Sequence, residues 1–176
     1  SQSVSFQWQT QDGTAASADS DYSADSGTLY ISSGNTSINI SPVILGDDAF
    51  ETDENFSLVL SNATNATITD NTGVVTIAND DALPSLSISN LGAIVEGGGT
   101  ANVVVALDTP AGVDVSFTYA TSDGTASAGV EYSATSGTAT ITAGSPDVTI
   151  PVPLNDNSVD NVDKSFTFSI SSPVQA

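Results

Sequence analysis

Between Leu45 and Glu54 the chain reads Leu-Gly-Asp-Asp-Ala-Phe-Glu-Thr-Asp-Glu, with five carboxylates at Asp47, Asp48, Glu51, Asp53 and Glu54 and no Lys, Arg or His among them. Carboxylates this dense repel one another unless a cation joins them. All-oxygen donor sets suit Ca²⁺ and Mg²⁺ rather than thiolate- or imidazole-seeking metals. Acids recur in two similar settings: Asp19 and Asp21 just before Tyr22, and Asp80-Asp81 closing the run from Gly73 to Asn79. The expectation is that these three stretches meet at one end of a β-sandwich and hold Ca²⁺.

Composition narrows the chemistry further. The chain has 176 residues, 21 acids against the single Lys164, a formal charge of −20, and neither Cys nor His. Without His or Cys there is no Ser-His or Cys-His pair, no thiol nucleophile and no zinc site of ordinary type. The charge repels nucleic acid and anionic membrane surfaces, which are bound through Lys and Arg. No apolar run has the length of a membrane-spanning helix, and the opening Ser1-Gln-Ser, without Met or a signal peptide, reads as a mature segment or an excerpt.

The elements that would position these acids are strands. Val4, Phe6 and Trp8 alternate with polar residues, as do Ile38, Ile40, Pro42 and Ile44, and Phe56, Leu58 and Leu60. Period-two alternation is the mark of strands with one buried face. Turn signals separate them at Asp12-Gly13, Ser26-Gly27, Ser33-Gly34-Asn35 and Asn71-Thr72-Gly73. The spacing is that of an antiparallel sandwich or barrel.

An internal repeat of about 110 residues organises the whole chain. The stretch Val4-Ser-Phe-Gln-Trp-Gln-Thr-Gln-Asp-Gly-Thr-Ala15 recurs as Val115-Ser-Phe-Thr-Tyr-Ala-Thr-Ser-Asp-Gly-Thr-Ala126. Tyr22–Thr28 matches Tyr132–Thr138, Ile38/Ile40/Ile44 match Val148/Ile150/Leu154, and Phe56/Leu58/Leu60 match Phe166/Phe168/Ile170. Two tandem domains are therefore expected, 1–82 and 83–176, joined by the short Pro-containing link Asp81–Ser85. Residues 85–107 have no match in the first repeat and 66–81 none in the second, so both repeats read as incomplete, the first lacking its opening strands and the second its closing strand. Sheet edges would then be exposed, with Val4–Thr10 taken as one, and the missing strands would come from neighbouring material or from an identical subunit.

Taken together, Thr10-x-Asp12-Gly-Thr-Ala15, Asp21-Tyr22, Gly27-Thr-Leu29, Asp47-Asp48-x-x-Glu51-x-Asp53-Glu54-x-Phe56 and Val75-Thr-Ile77-x-Asn-Asp80-Asp81 resemble the Calx-β domain. The resemblance implies an all-β fold of tandem immunoglobulin-like antiparallel sandwiches with Ca²⁺ among the loops at one tip. Carried over by position, it implies metal ligands at Asp21, Asp47, Asp48, Glu51, Glu54, Asp80 and Asp81 in the first repeat. In the second it implies Glu96, Glu131 and Asp156, with a weaker or metal-free site, because Asn161 replaces Glu51 and Lys164 replaces Glu54. The ammonium of Lys164 is expected among the second repeat's remaining acids, partly standing in for a metal ion.

Competing readings remain at this level. Asp12 and Asp123 lie in Asp-Gly turns and are read as caps of neighbouring N–H groups, outside the metal site. Trp8 and Tyr119 occupy matching positions and read as core. The function expected is a Ca²⁺-binding structural or adhesive repeat of a large extracellular or cell-surface protein, such as a filament or surface layer, with Ca²⁺ stiffening the junction between repeats. The alternative is a calcium-sensing regulatory module of a membrane transporter. An enzyme using paired carboxylates is the weakest reading, since no Arg or His is available to position a substrate.

Overall fold

The computed structural model describes residues 2–94, 99–156 and 162–176, which form two compact units. One takes in Ser1–Asp47 and Thr52–Asp80, the other Asp81–Ala176 with Asp48–Glu51. Among the described residues all named elements are strands, their ladders are antiparallel, and no helix is long and apolar enough to cross a membrane.

The first unit holds β1 (Val4–Asp12), β2 (Ser26–Ile31), β3 (Glu54–Thr64) and β4 (Thr72–Ile77) in one sheet of order β2-β1-β3-β4. Alternation puts Phe6 and Phe56 on the buried face, and Ala15, Tyr22 and Phe56 form a small core against Leu58, Val75 and Ile77. The expectation that Val4–Thr10 is a sheet edge is corrected. β1 is internal, flanked by β2 in the register Phe6↔Leu29 and by β3 in the register Trp8↔Leu60. Alternation marks the buried face of a strand but is silent on its lateral neighbours.

The second unit is a two-layer immunoglobulin-like sandwich. One sheet has the order β10 (Phe166–Val174), β7 (Val115–Asp123), β8 (Ser136–Ile141); the other has β5 (Leu86–Ile88), β6 (Thr100–Leu107), β9 (Asp147–Pro153). Val105 and Ile150 from one layer meet Val115, Phe117 and Ile141 from the other, all buried. Each such side chain contributes on the order of 1.5–3 kcal/mol by leaving water, so this inter-sheet core carries the unit.

Comparing the repeats explains one difference from the expected strands. Val148, Ile150 and Leu154 belong to β9 and its adjoining bridge, but the matching Ile38 and Ile40 lie outside any strand, and Ile44 keeps only an isolated bridge to Tyr22. β9 exists as a ladder with β6, from Ala106↔Asp147 to Thr100↔Pro153. Among the described residues of the first unit no strand takes the place of β6. Ile38 and Ile44 are accordingly 38% and 44% exposed, where Ile150 is 4% exposed.

Candidate metal centre

The motif Asp-Gly-Thr-Ala builds the same clamp in both repeats. Ala15 and Ala126 are buried, and their N–H groups donate to the Asn55 and Ser165 carbonyls at 2.9 and 2.8 Å. In return the Asn55 and Ser165 N–H groups donate to the Thr14 and Thr125 hydroxyls, both at 2.8 Å. Gly13 and Gly124 are required by close approach, because a Cβ at either would collide with the Asn55 or Ser165 carbonyl. The clamp therefore fixes the backbone beside Glu54 in one repeat and Lys164 in the other.

The Asp of the motif holds the second wall. The Tyr22 hydroxyl donates to Asp12 Oδ1, which also accepts the Ser17 N–H at 3.1 Å. In the second repeat the Tyr132 hydroxyl donates to Asp123 Oδ1 at 2.7 Å, and the Ala128 N–H donates at 2.9 Å. These bonds, the tyrosine's first, hold both aspartates below the usual carboxylate range. Both phenols are raised: Tyr22 chiefly by burial and then by Asp12, Tyr132 chiefly by Asp123 and then by burial. The rings stack on Phe56 and Phe166 with centroids 4.0 and 4.3 Å apart. Reading Asp12 and Asp123 as caps is thus matched by the geometry. Their bond to a buried tyrosine is additional, and the recurrence of Asp and Tyr at matching positions is the sequence signal that could have found it.

On this frame stand the acids. Asp21, next to Tyr22, accepts the Ala16 N–H on Oδ2 at 2.7 Å and offers its carbonyl to the Leu45 N–H at 3.0 Å. Asp21, Glu51 and Glu54, all half-buried, each present a carboxylate oxygen, and these oxygens lie within 4.8 Å of one another. Two oxygens bound to one Ca²⁺ at about 2.3–2.6 Å can be at most about 5 Å apart. The set therefore fits a single Ca²⁺ in spacing and in chemistry, with hard anionic oxygens and no nitrogen or sulfur donor.

The other first-repeat acids stand outside this group of oxygens. Asp47, Asp48 and Asp80 are exposed and Asp81 is half-buried. Asp53 accepts the Asn79 N–H at 3.0 Å, tying the acidic stretch to the residues after β4.

In the second repeat Glu131 takes the place of Asp21, accepting the Ser127 N–H on Oε2 at 2.8 Å and offering its carbonyl to Asn155 at 2.9 Å. Its other oxygen pairs with the Lys164 ammonium, and that contact, followed by the Ser127 N–H, lowers its pKa. Asp156 is exposed and joins no such group among the described residues, and Glu96 lies outside them. The same frame thus presents a carboxylate group in one repeat and an ion pair in the other.

The model of the Calx-beta domain matches residues 1–82 and again 79–176. Among solved structures, CBD12 from CALX1.2 aligns over 98% of this chain and 69% of its own at 24% identity and a TM-score of 0.49. The calcium binding domain CBD12 of CALX1.1 aligns over the same shares at 25% identity and a TM-score of 0.49. The apo-form Calx CBD1 domain aligns over 43% of this chain and 67% of its own at 26% identity and a TM-score of 0.41. No curated protein matches the chain.

Proposed function

The chain belongs to the Calx-β domain family, as two tandem repeats, and on that premise we propose that its first repeat binds Ca²⁺ and its second uses Lys164 in place of the metal. The observation that carries this reading is the convergence of Asp21, Glu51 and Glu54 oxygens within 4.8 Å. Asp47, Asp48, Asp80 and Asp81 are proposed as outer or supplementary ligands, being acids at family positions. Calorimetric titration with Ca²⁺ tests the reading. One saturable site is expected, abolished by Glu54→Gln. A flat titration of the unaltered chain sinks it, and two equal sites sink the role given to Lys164.

The wider role we propose is a calcium-stiffened structural or adhesive repeat of an extracellular or cell-surface protein, such as a filament or surface layer. Its charge of −20 with one Lys supports this over a sensor attached to a transporter, because a module of this charge stays soluble and apart from anionic surfaces. Extracellular modules bind Ca²⁺ with dissociation constants of about 10⁻⁴–10⁻³ M, so an affinity a thousandfold tighter would favour the sensor. Asp80 and Asp81 directly precede the link, which is why Ca²⁺ is proposed to stiffen it. Small-angle scattering that is identical with and without Ca²⁺ would remove that part.

The proposed partners are repeats of the same kind, in the same chain or in another subunit. β3 pairs with both β1 and β4, whereas β10 pairs with β7 alone among the described residues. That edge suits a strand of the pattern of β4. A monodisperse monomer at micromolar concentration would count against donation between subunits.

A further inference from the structure

We infer that the Asp12-Gly-Thr-Ala15 motif, acting through Tyr22 and Asn55, is the positioning element of the Ca²⁺ site, and that this, rather than turn formation alone, is what the motif does in the first repeat. The inference rests on the calcium reading above.

Asp21 and Glu54 come from different parts of the chain, so something has to fix their separation. Asp21 precedes Tyr22, whose ring stacks on Phe56 at 4.0 Å and 10° and whose hydroxyl is held by Asp12. Glu54 precedes Asn55, whose N–H and C=O are both taken by the motif, through the Thr14 hydroxyl at 2.8 Å and the Ala15 N–H at 2.9 Å. Asp12 and Asp21 also hold successive N–H groups of one loop, those of Ser17 and Ala16. One four-residue motif thereby reaches the residues flanking both carboxylates.

The second repeat supplies an independent observation. There the same bonds recur through Asp123, Thr125, Ala126, Tyr132 and Ser165, and the heads at the matching positions, Glu131 and Lys164, are also in contact. Heads of opposite charge and heads of like charge are brought together by one frame. Attraction between the heads therefore cannot be what sets the spacing; the frame does. A frame that holds like charges together beforehand lowers the reorganisation needed when a cation arrives.

The test is Ca²⁺ titration calorimetry on the whole chain, with melting in EDTA recorded alongside. Thr14→Val removes the hydroxyl that accepts from Asn55 without changing volume, and Tyr22→Phe removes the bond to Asp12 while keeping the stacked ring. Each is expected to weaken Ca²⁺ binding about tenfold, as loss of a group supporting a metal ligand does. Thr14→Ser, which keeps the hydroxyl, is expected to restore it. The matched variants Thr125→Val and Tyr132→Phe are expected to lower melting in EDTA but leave Ca²⁺ affinity unchanged. If Thr14→Val and Tyr22→Phe bind as the unaltered chain does, or if the second-repeat variants weaken binding equally, the positioning role is overturned while the calcium reading stands. If the unaltered chain takes up no Ca²⁺, both fall.

Discussion

Lys164 donates to Glu131 from the position that Glu54 holds near Asp21 in the other repeat. The exchange converts a group needing an external cation into one carrying its own. Lys164→Glu is expected to reverse this. Without metal, two carboxylates would face each other on the fixed frame, and melting in EDTA should fall. With millimolar Ca²⁺ the loss should be at least partly recovered and a second binding event should appear. A variant that melts alike in EDTA and Ca²⁺ would show that the second repeat has lost more than its glutamate.

The first repeat gives the complementary expectation. Ca²⁺ binds the folded arrangement of Asp21, Glu51 and Glu54, so at about 100 times its dissociation constant it should add about 2.7 kcal/mol to stability. Thermal melts in EDTA and in millimolar Ca²⁺ measure the difference directly. Asp21→Asn and Glu54→Gln should each remove most of it, and should raise stability slightly in EDTA by relieving repulsion. Coincident curves for the unaltered chain would end the calcium reading.

Acid should reach the second repeat through Asp123. The bonds from Tyr132 and Ala128 favour its charged form, so its folded pKa lies below the ordinary value near 3.8. A depressed carboxylate contributes stability that is present above the unfolded pKa and lost as pH falls through the folded one. Between pH 5 and neutrality this contribution should be flat, and it should decline from about pH 4 downward. Asp123→Asn should melt lower at neutral pH and show a shallower decline in acid. An unchanged slope in a pH series of chemical denaturation would assign the acid sensitivity elsewhere.

The strands around the site were legible because their physics is local. Alternation in Phe56/Leu58/Leu60 and the duplicated Val-Ser-Phe run located β3, β1 and β7, and charge reversal at Lys164 pointed to the acids Glu96, Glu131, Asp156 and Asp163, of which Glu131 is the partner found. What depended on distant partners was not legible. Alternation in Ile38/Ile40/Ile44 is as regular as in Val148/Ile150, yet only the second set has β6 to pair with. Val4–Thr10 reads as an edge because nothing ahead of it matches residues 85–107, whereas its actual neighbours β2 and β3 come later in the chain and leave no mark in its own residues. The tyrosine bond of Asp12 was harder to read: an Asp-Gly pair is already explained by a turn, and only the recurrence of Asp12 and Tyr22 as Asp123 and Tyr132 marks the phenol ten residues on as its partner.

Hydrogen exchange should separate the two repeats along these matching residues. Residues 147–153 lie in a ladder with β6, and their bonded amides open only when the sandwich does. Residues 38–43 lie in no ladder; at the Tyr22↔Ile44 bridge the Val43 carbonyl accepts the Ser23 N–H at 2.9 Å and the Leu45 N–H donates to the Asp21 carbonyl at 3.0 Å. Protection should therefore begin at Leu45 in the first repeat but extend back across Val148–Val152 in the second. The amides of Ile38 and Ile40 should exchange near the rate of an open chain, while that of Ile150 is slower by orders of magnitude. Ca²⁺ should sharpen the contrast at one point, slowing Leu45, whose acceptor belongs to a proposed ligand, without protecting Ile38 or Ile40. Equal protection at Ile40 and Ile150 would mean that the first repeat finds a ladder partner in solution, and with it a second sheet.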